Sequence, residues 1–254
     1  MSSLQALIFD VDGTLADTEE GHRVAFNTTF AQAGLDWQWS VSLYGELLRV
    51  TGGKERIRHY LDQYKKDFIR PSDLSGFIAQ LHADKTRCYT ALLAEGNIPL
   101  RTGVRRLLEE ARSAGLRLAV ATTTSPANVV ALLEHAQPPV PQSWFEVIAA
   151  GEVVSAKKPA PDIYHYALEK MDLRAEQCLA MEDSENGLHS AHGAGLKTVI
   201  TVNDYTRQQD FPGAVLVVDH LGEPEQPFTV LSSSVDSKDS TYVDVALLRK
   251  FYAA

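Results

Sequence analysis

The chain has 254 residues, of which 44% are hydrophobic, and it carries a formal net charge of −9 at pH 7. This length and apolar content allow one large core, or a core with a smaller lobe. The acidic balance argues against nucleic acid or an anionic membrane surface as a partner, because proteins that bind them expose clustered Lys and Arg.

Two further features predict a cytoplasmic protein. Cys88 and Cys178 are too few and too isolated for a disulfide framework, so we expect reduced thiols. The stretch from Met1 to Gly13 has neither a basic leader nor a cleavable apolar segment, and no part of the sequence reaches the roughly 20 apolar residues of a membrane span.

The first predicted element is a short strand, Ala6 to Phe9, that runs into Asp10 and Asp12 and then into Gly-Thr. In an extended segment, residues two apart face the same way, so both carboxylates can address one point beyond the strand. The carboxyl ends of strands are where open α/β sheets bind ligands. Taken alone, the pair is equally compatible with the start of a turn.

Residues 17–95 are predicted to form an all-helical insert after this strand. Large apolar residues recur at helical spacing from Phe26 to Leu35, Ile57 to Tyr64 and Leu74 to Tyr89, without a convincing strand between them. The predicted division is therefore a core of residues 1–16 and 96–254 and a helical cap of residues 17–95.

After this insert, short apolar runs alternate with helical patterns, which predicts an α/β fold with a parallel, doubly wound sheet. The predicted strands are Leu118 to Ala121, Phe145 to Ala149, Leu179 to Met181, Thr198 to Val202 and Ala214 to Val218. The helix signals are Val104 to Ser113 ending before Gly115, a cap at Ser125, a start at Pro161 and a cap at Ser184. A Ser/Asp-rich loop from Ser232 to Thr241 precedes a last helix from Val243 to Phe251.

Three of these segments bring polar residues to the ends of the strands. Thr122 to Ser125 offer hydroxyl and N–H groups to phosphate oxygens, although such a run is more often a helix cap. Lys157 and Lys158 precede a helix and are ordinarily interpreted as a solvated loop, while Glu182 and Asp183 can equally complement a helix dipole. Together with the first two aspartates, these residues supply a nucleophile, an acid, oxyanion donors, a cation and metal ligands.

The order of these motifs resembles the four signature motifs of the haloacid-dehalogenase-like phosphotransferases over essentially the whole chain. The matching residues are DVDGT at positions 10–14, Thr122, Lys158 and EDS at positions 182–184. TGGKER at 51–56, AVATTTS and AKKPAPDIY are similar to the CbbY-type phosphatases, which resemble β-phosphoglucomutase and remove phosphate from xylulose 1,5-bisphosphate. The resemblance implies a Rossmann-like core with an inserted helical cap.

The resemblance implies catalytic roles for four residues. Asp10 would attack phosphorus and carry an aspartyl-phosphate, a step that a carboxylate can perform. Asp12 would protonate the departing sugar oxygen and later take a proton from water. Thr122 would hydrogen-bond the phosphoryl oxygens, and Lys158 would neutralise them and keep Asp10 ionised.

The same resemblance implies Mg²⁺ as the cofactor. The ion would lie on Asp10, on the backbone carbonyl of Asp12 and on Asp183, with Glu182 as a ligand or directly behind one. Oxygen ligands of this kind suit a hard divalent cation.

Substrate recognition is expected at the inner face of the predicted cap. Gly52 and Gly53 let the backbone approach a ligand closely, and Lys54 and Arg56 can bind a phosphate. The opposing interpretation is that His22, Glu55 and Arg56 make ordinary helix or surface contacts. The predicted substrate-binding residues are Glu19, His22, Gly52, Gly53, Lys54, Glu55, Arg56, Thr123, Thr124 and Ser125, with Arg49 as a further candidate.

The leading hypothesis is a Mg²⁺-dependent sugar-bisphosphate phosphatase that forms an aspartyl-phosphate, with xylulose 1,5-bisphosphate as its substrate. Two alternatives stay open: a sugar phosphomutase, which needs the same core motifs, and a catalytically idle binding protein on this fold. We expect a small-molecule sugar phosphate as the partner, and a monomer.

Overall fold

A computed structural model describes residues 3–96, 98–234 and 240–253 of the chain. Its central feature is a seven-stranded sheet with the strand order β3-β2-β1-β4-β5-β6-β7, in which β7 alone is antiparallel to its neighbour. The strands are β1 (Ala6–Phe9), β2 (Arg117–Thr122), β3 (Val147–Ala150), β4 (Cys178–Glu182), β5 (Lys197–Thr201), β6 (Leu216–Val218) and β7 (Val230–Ser233).

The strand order reverses at β1. From this strand the chain builds the sheet first on one side, through β2 and β3, and then on the other, through β4, β5 and β6. Such a switch point opens a crevice at the carboxyl ends of the strands on either side of it. In this chain, Asp10 follows β1 and Asp183 follows β4, so the two acids meet at this crevice.

Helices cover both faces of the sheet, as the continuous apolar strands predict. Along β1 the side chains alternate between two clusters: Leu7 and Phe9 pack in one, and Ala6 and Ile8 in the other. The helices of the α/β part are α5 (Val104–Ser113), α6 (Pro126–His135), α7 (Asp162–Met171), α8 (Glu185–Gly193) and α9 (Val245–Ala253). Two short 3₁₀ turns, Gln142–Trp144 and Ala175–Gln177, precede β3 and β4.

Four helices lie between β1 and α5, and we call them the helical insert. They are α1 (Glu19–Gln32), α2 (Val41–Leu47), α3 (Gly53–Gln63) and α4 (Leu74–Ala94). The insert has its own aromatic-rich cluster, in which Phe26, Trp39 and Tyr44 are buried. The later part of α4 packs instead on the cluster below the sheet, through Tyr89 and Leu93, and so ties the insert to the α/β part.

One predicted segment is wrong at its first two residues. The stretch beginning at Ser232 was expected to be a loop, but Val230–Ser233 form β7 and pair antiparallel with β6, so the sheet is mixed rather than wholly parallel. The strand lies at the sheet edge with Val230 and Leu231 exposed, and it therefore lacks the buried apolar run that marks the other strands. Residues 235–239 of the predicted loop lie outside the described residues.

The other predicted elements are confirmed within a few residues. The predicted strand Ala6–Phe9 and helix Val104–Ser113 have the predicted bounds, and the last helix runs from Val245 rather than Val243. Ser125 and Ser184 cap α6 and α8 with their side chains. Within the described residues, no helix is both long enough and apolar enough to cross a bilayer.

Candidate active site

A cleft lies between the carboxyl ends of the strands and the helical insert. The structure brings most of the predicted site residues into its lining, from both parts of the chain. They are Asp10, Asp12, Glu19, His22, Arg49, Gly52, Gly53, Arg56, Thr122, Thr123, Thr124, Ser125, Lys158 and Asp183. Glu182 lies directly behind this lining, and Lys54 and Glu55 lie outside it.

The floor of the cleft is built on Asp10. Its backbone N–H donates to the carbonyl of Met181 at 2.9 Å, which holds the residue at the end of the β1–β4 ladder. The Lys158 ammonium donates to Oδ1 of Asp10 at 2.6 Å and to Oε1 of Glu182 at 2.5 Å. The Tyr164 hydroxyl also donates to this Glu182 oxygen, at 2.5 Å. One cation therefore bridges two buried carboxylates.

Burial and charge oppose each other in this group. Burial raises the pKa of Asp10 to about 8, because Lys158 lowers it less than burial and the neighbouring Glu182 charge raise it. Burial also disfavours the Lys158 ammonium, but the Asp10 and Glu182 carboxylates outweigh it and hold the pKa of Lys158 above its ordinary value. Lys158 is therefore a fixed positive charge.

The same carboxylates form a candidate metal site. Asp10, Glu182 and Asp183 each place one oxygen within 4.8 Å of the others. Oε2 of Glu182 is buried and has no hydrogen-bond partner among the described residues. Burial and the charges of Asp10 and Glu182 raise the pKa of Asp183 well above its ordinary value. An all-oxygen donor set with excess negative charge fits a hard divalent cation.

Asp12 contributes its side chain to a second network. The Thr18 hydroxyl donates to Oδ1 of Asp12 at 2.6 Å, and Nε2 of His22 lies 2.9 Å from the same oxygen. Nδ1 of His22 is in turn 2.6 Å from the Lys85 ammonium. Burial opposes ionisation of Asp12, but His22 and Thr18 outweigh it and hold the pKa of Asp12 below its usual range. The side chain therefore faces the insert rather than the metal site, and metal binding through its backbone carbonyl stays a prediction.

Two residues of α4 in this cleft were missed in the sequence. Lys85 is buried, lies 4.9 Å from the ring centres of Phe26 and Tyr89, and has its pKa lowered by burial to about 7. His82, one turn before it, also lines the cleft. A signal was present, because a lysine stands at helical spacing between Ile78, Leu81 and Tyr89, on the stripe that the helix buries.

The segment Thr122–Ser125 caps a helix and also lines the cleft. Oγ of Ser125 accepts from the backbone N–H of Asn128 and so caps α6. Oγ1 of Thr124 accepts from the Asn128 amide at 2.8 Å, and Oγ1 of Thr122 accepts from the Thr124 N–H at 3.3 Å. All four residues still line the cleft. A phosphoryl group here would meet hydroxyls whose positions are already set by the start of a helix.

On the insert side, Tyr44 connects two predicted residues. Its hydroxyl donates to Oε2 of Glu19 at 2.8 Å and lies 3.2 Å from Nη1 of Arg56. Nε of Arg56 donates to the carbonyl of Leu47 at 3.2 Å. Arg56 is therefore held at the wall of the cleft by two neighbours, and its contact with a phosphate stays a prediction.

Lys54 and Glu55 do not fit the predicted substrate-binding role. Nζ of Lys54 lies 2.6 Å from Oε1 of Glu152, and Oε1 of Glu55 lies 3.2 Å from Nζ of Lys157. Successive residues of a helix point in different directions. In the first turn of α3, Arg56 faces the cleft, and the side chains of Lys54 and Glu55 therefore face away from it. Their partners belong to the segment between β3 and α7.

The sequence and the fold agree with known proteins. The profile of the haloacid dehalogenase-like hydrolases matches residues 4–195. The plasmid-encoded protein CbbY of Cupriavidus necator is 46% identical over 249 residues, covering 98% of this chain and 97% of that protein. A phosphorylated carbohydrates phosphatase of Thermotoga maritima is 29% identical over 199 residues, covering 78% of this chain and 85% of that protein.

Solved structures lead to the same family. CbbY from Rhodobacter sphaeroides, in complex with phosphate, superimposes with a TM-score of 0.80 at 49% identity, covering 85% of this chain and 94% of that one. A variant of that CbbY has been solved with xylulose 1,5-bisphosphate bound, at the same TM-score and identity. This chain belongs to the haloacid dehalogenase-like hydrolase family. Within the family it is a phosphatase, and it is similar to the CbbY proteins over most of its length.

Proposed function

We propose that the protein is a Mg²⁺-dependent phosphatase that converts xylulose 1,5-bisphosphate to xylulose 5-phosphate and phosphate. The observation that carries this proposal is the pair of carboxylates on the cleft floor, Asp10 beside the Lys158 cation and Asp12 on a separate network. Two carboxylates in different environments suit a nucleophile and an acid–base group. The choice of sugar rests on the ligand of the CbbY relative.

In the proposed first step, Oδ of Asp10 forms a bond to phosphorus while the bond between phosphorus and the sugar oxygen breaks. Asp12 gives its proton to that departing oxygen. In the second step, Asp12 takes a proton from water, the water oxygen bonds to phosphorus, and the acyl phosphate bond breaks to regenerate the Asp10 carboxylate. Lys158 and the hydroxyls of Thr122–Ser125 stabilise the phosphoryl oxygens in both steps.

The magnesium ion would be held by the side chains of Asp10 and Asp183 and by the backbone carbonyl of Asp12. Glu182 would contribute its Oε2 atom, which has no hydrogen-bond partner among the described residues. When bound, the ion would offset the negative charge of these carboxylates and of the phosphoryl group. With that charge offset, the pKa of Asp10 would fall and the nucleophile would be ionised at neutral pH in spite of its burial.

The chain of contacts from Asp12 to α4 orients the Asp12 carboxylate for the proposed acid–base role. With Lys85 as an ammonium, it donates to Nδ1 of His22, so the Nε2 proton of that imidazole donates to Asp12. Thr18 donates to the same carboxylate oxygen. Because these donors fix one oxygen of Asp12, the other is left to exchange protons with the sugar oxygen and with water.

We propose that residues 17–95 form a cap domain that binds the second phosphate of the substrate. Residues 1–16 and 96–254 form the core domain. Arg56, held at the cleft wall, and the Gly52–Gly53 turn are the strongest candidates for this contact, with Arg49 beside them. Gly52 has φ of 95°, a conformation that favours glycine and brings the backbone close to a ligand. The cytoplasmic location and the monomeric state stay predictions.

The test is phosphate release from a panel of pentulose bisphosphates, hexose phosphates and an aryl phosphate, with Mg²⁺ and with EDTA. We expect xylulose 1,5-bisphosphate to have the highest kcat/KM, EDTA to abolish turnover, and Asp10→Asn to lower turnover by about 10³-fold or more. Formation of hexose 6-phosphate from the 1-phosphate would instead show a mutase. No hydrolysis of any substrate would show an idle binding protein.

A further inference from the structure

Four charged residues form two ion pairs beside the cleft, between the helical insert and the α/β part, and the proposed chemistry leaves them without a role. Lys54 and Glu55 belong to the first turn of α3, while Glu152 and Lys157 belong to the segment between β3 and α7. The Lys54–Glu152 pair measures 2.6 Å and the Glu55–Lys157 pair 3.2 Å. Each side contributes one cation and one anion.

Both sides of this contact are attached to substrate-facing residues. On the insert side, a Cβ built at Gly52 would lie 2.2 Å from Oε2 of Glu55 and 3.0 Å from Cδ of Lys157, so the second pair lies directly against the glycine turn. On the other side, Lys157 precedes Lys158, whose ammonium holds Asp10. The pairs therefore join the turn proposed to bind the distal phosphate to the loop that carries the catalytic cation.

The arrangement of charges specifies one register. A shift of α3 along the loop that exchanged the partners would place Lys54 against Lys157 and Glu55 against Glu152, and like charges in contact are unfavourable. The side chain of Glu152 is 65% exposed and that of Lys54 is 38% exposed, so this pair adds little to the stability of the fold. Weak contacts are nevertheless sufficient to bias two nearly balanced arrangements of a cap.

We propose that Lys54, Glu55, Glu152 and Lys157 are positioning residues: their crossed ion pairs set the place of the glycine turn relative to Lys158 when the cleft is closed, without touching the substrate. The inference rests on the proposed function, because it assumes that both phosphates of one substrate must be held at a defined spacing. A substrate with a single phosphate and no group at the turn is insensitive to that spacing.

The test is a charge exchange at one pair. Lys54→Glu and Glu152→Lys each place like charges together, and the double variant restores an ion pair with its polarity reversed. Each single change removes an exposed pair and puts a like-charge contact in its place, and together these should raise KM for xylulose 1,5-bisphosphate roughly 3- to 10-fold. The double variant should return to within about twofold of the parent. Aryl phosphate hydrolysis should stay within about twofold throughout.

Lys65→Glu is the matched control. Lys65 pairs with Asp36 at 3.1 Å inside the helical insert, so its reversal changes the same chemistry without crossing the cleft. It should leave KM for both substrates within about twofold of the parent. The difference between the parent and Lys54→Glu should also shrink in about 1 M salt, where exposed charges are screened beyond about 3 Å.

Hydrogen exchange separates a failure of this inference from a failure of the proposed function. With inorganic phosphate as the probe, residues 49–56 should exchange faster in each single variant than in the parent, and the double variant should match the parent. If the parent does not hydrolyse the bisphosphate, the proposed function fails while this comparison still tests the contact. Single reversals that change neither KM nor exchange, or a double variant no better than the worse single one, would overturn the inference.

Discussion

At the scale of single residues, Asp12 shows how neighbours determine chemistry. It stands two positions after Asp10 on the same strand end, yet its pKa is held low by His22 and Thr18, whereas burial raises that of Asp10 to about 8. An acid–base group must exchange its proton in each half of the reaction, and a nucleophile must stay ionised. The partners of each carboxylate, not its type, give the two side chains opposite pKa shifts. The proposed roles need a protonated Asp12 and an ionised Asp10, so the bound substrate and cation would have to reverse both shifts.

Asp12→Ala tests that separation through the leaving group. A sugar oxygen departs poorly without a proton, whereas an activated phenolate departs as the anion. We expect the variant to lose about 10²- to 10⁴-fold in kcat on the sugar bisphosphate and far less on 4-nitrophenyl phosphate, measured as phosphate release. Equal losses on both substrates would mean that Asp12 serves the metal or the fold instead. Asp62→Asn, at a surface ion pair of the insert, is the control.

His82 gives a residue-scale prediction of pH dependence. Burial, and after it the charges of Lys85, Lys54 and Lys157, lower the pKa of His82 to about 3 from an ordinary value of 6.5. The unfolded chain therefore binds the proton first, so the contribution of neutral His82 to stability is complete above pH 6.5 and is lost as pH falls towards 3.

The measurement is urea unfolding of the parent and of His82→Gln between pH 7 and pH 4.5. The parent should lose stability relative to the variant as pH falls, with a slope of at most about 1.4 kcal/mol per pH unit. Taking the difference between the two proteins cancels the titration of the carboxylates that they share. A difference that does not change with pH would show that His82 is solvated and titrates normally.

At the scale of elements, the active site depends on how closely α8 approaches the end of β4. Gly187 lies in the first turn of α8, where a Cβ would stand 1.9 Å from Oε2 of Glu182. Among the residues that the structure describes, this buried oxygen has no hydrogen-bond partner. The glycine therefore leaves room for the Glu182 carboxylate, whose other oxygen accepts from Lys158 and Tyr164.

Gly187→Ala should displace Glu182 and so weaken the metal site. We expect the Mg²⁺ concentration for half-maximal activity to rise by about 10-fold or more, on the scale of lost outer contacts at metal sites, together with a lower Tm. Gly193→Ala, in the same helix, is the matched control, because its nearest neighbour would be a Pro161 carbon at 3.3 Å. If both variants require the same Mg²⁺ concentration, Glu182 plays no part in holding the ion.

At the scale of the whole molecule, the active site is held together against its own charge. Asp10, Glu182 and Asp183 are buried together in a chain of net charge −9, and Lys158 is the only ammonium among the described residues that contacts them. Asp183 has its pKa raised well above the ordinary value by burial and by the other two acids. Burying these acids together lowers the stability of the fold for the sake of function, and a bound cation should restore stability.

Asp183→Asn should therefore stabilise the protein in EDTA and remove its response to magnesium. The amide keeps the shape of the side chain, including an oxygen for the Asn203 amide that donates to it at 2.7 Å, but it removes one buried charge. In thermal scans the parent should gain about 2.7 kcal/mol of stability at 100 times the Mg²⁺ dissociation constant, and the variant much less. An equal rise of Tm with Mg²⁺ in both proteins would place the ion elsewhere.

The sequence by itself determined where the buried strands lie and where the helices begin. Buried strands appear as apolar runs and helix starts as capping residues, because these signals act over a few neighbouring positions, so β1, α5 and the caps at Ser125 and Ser184 were predictable. The clustering of acids at strand ends was predictable too, since parallel strands deliver their carboxyl ends to one edge. The exposed edge strand β7 carries no such pattern and was missed.

Only the tertiary structure decided which side chains meet across long separations. Lys85 reaches His22 from 63 positions away, and Lys54 finds Glu152 from 98 positions away, after the sequence pattern had suggested a phosphate contact for Lys54. No local signal encodes such pairs, because they depend on how α3 and α4 are oriented over the sheet. That orientation is set by the packing of aromatic residues within the insert and of Tyr89 and Leu93 against the core.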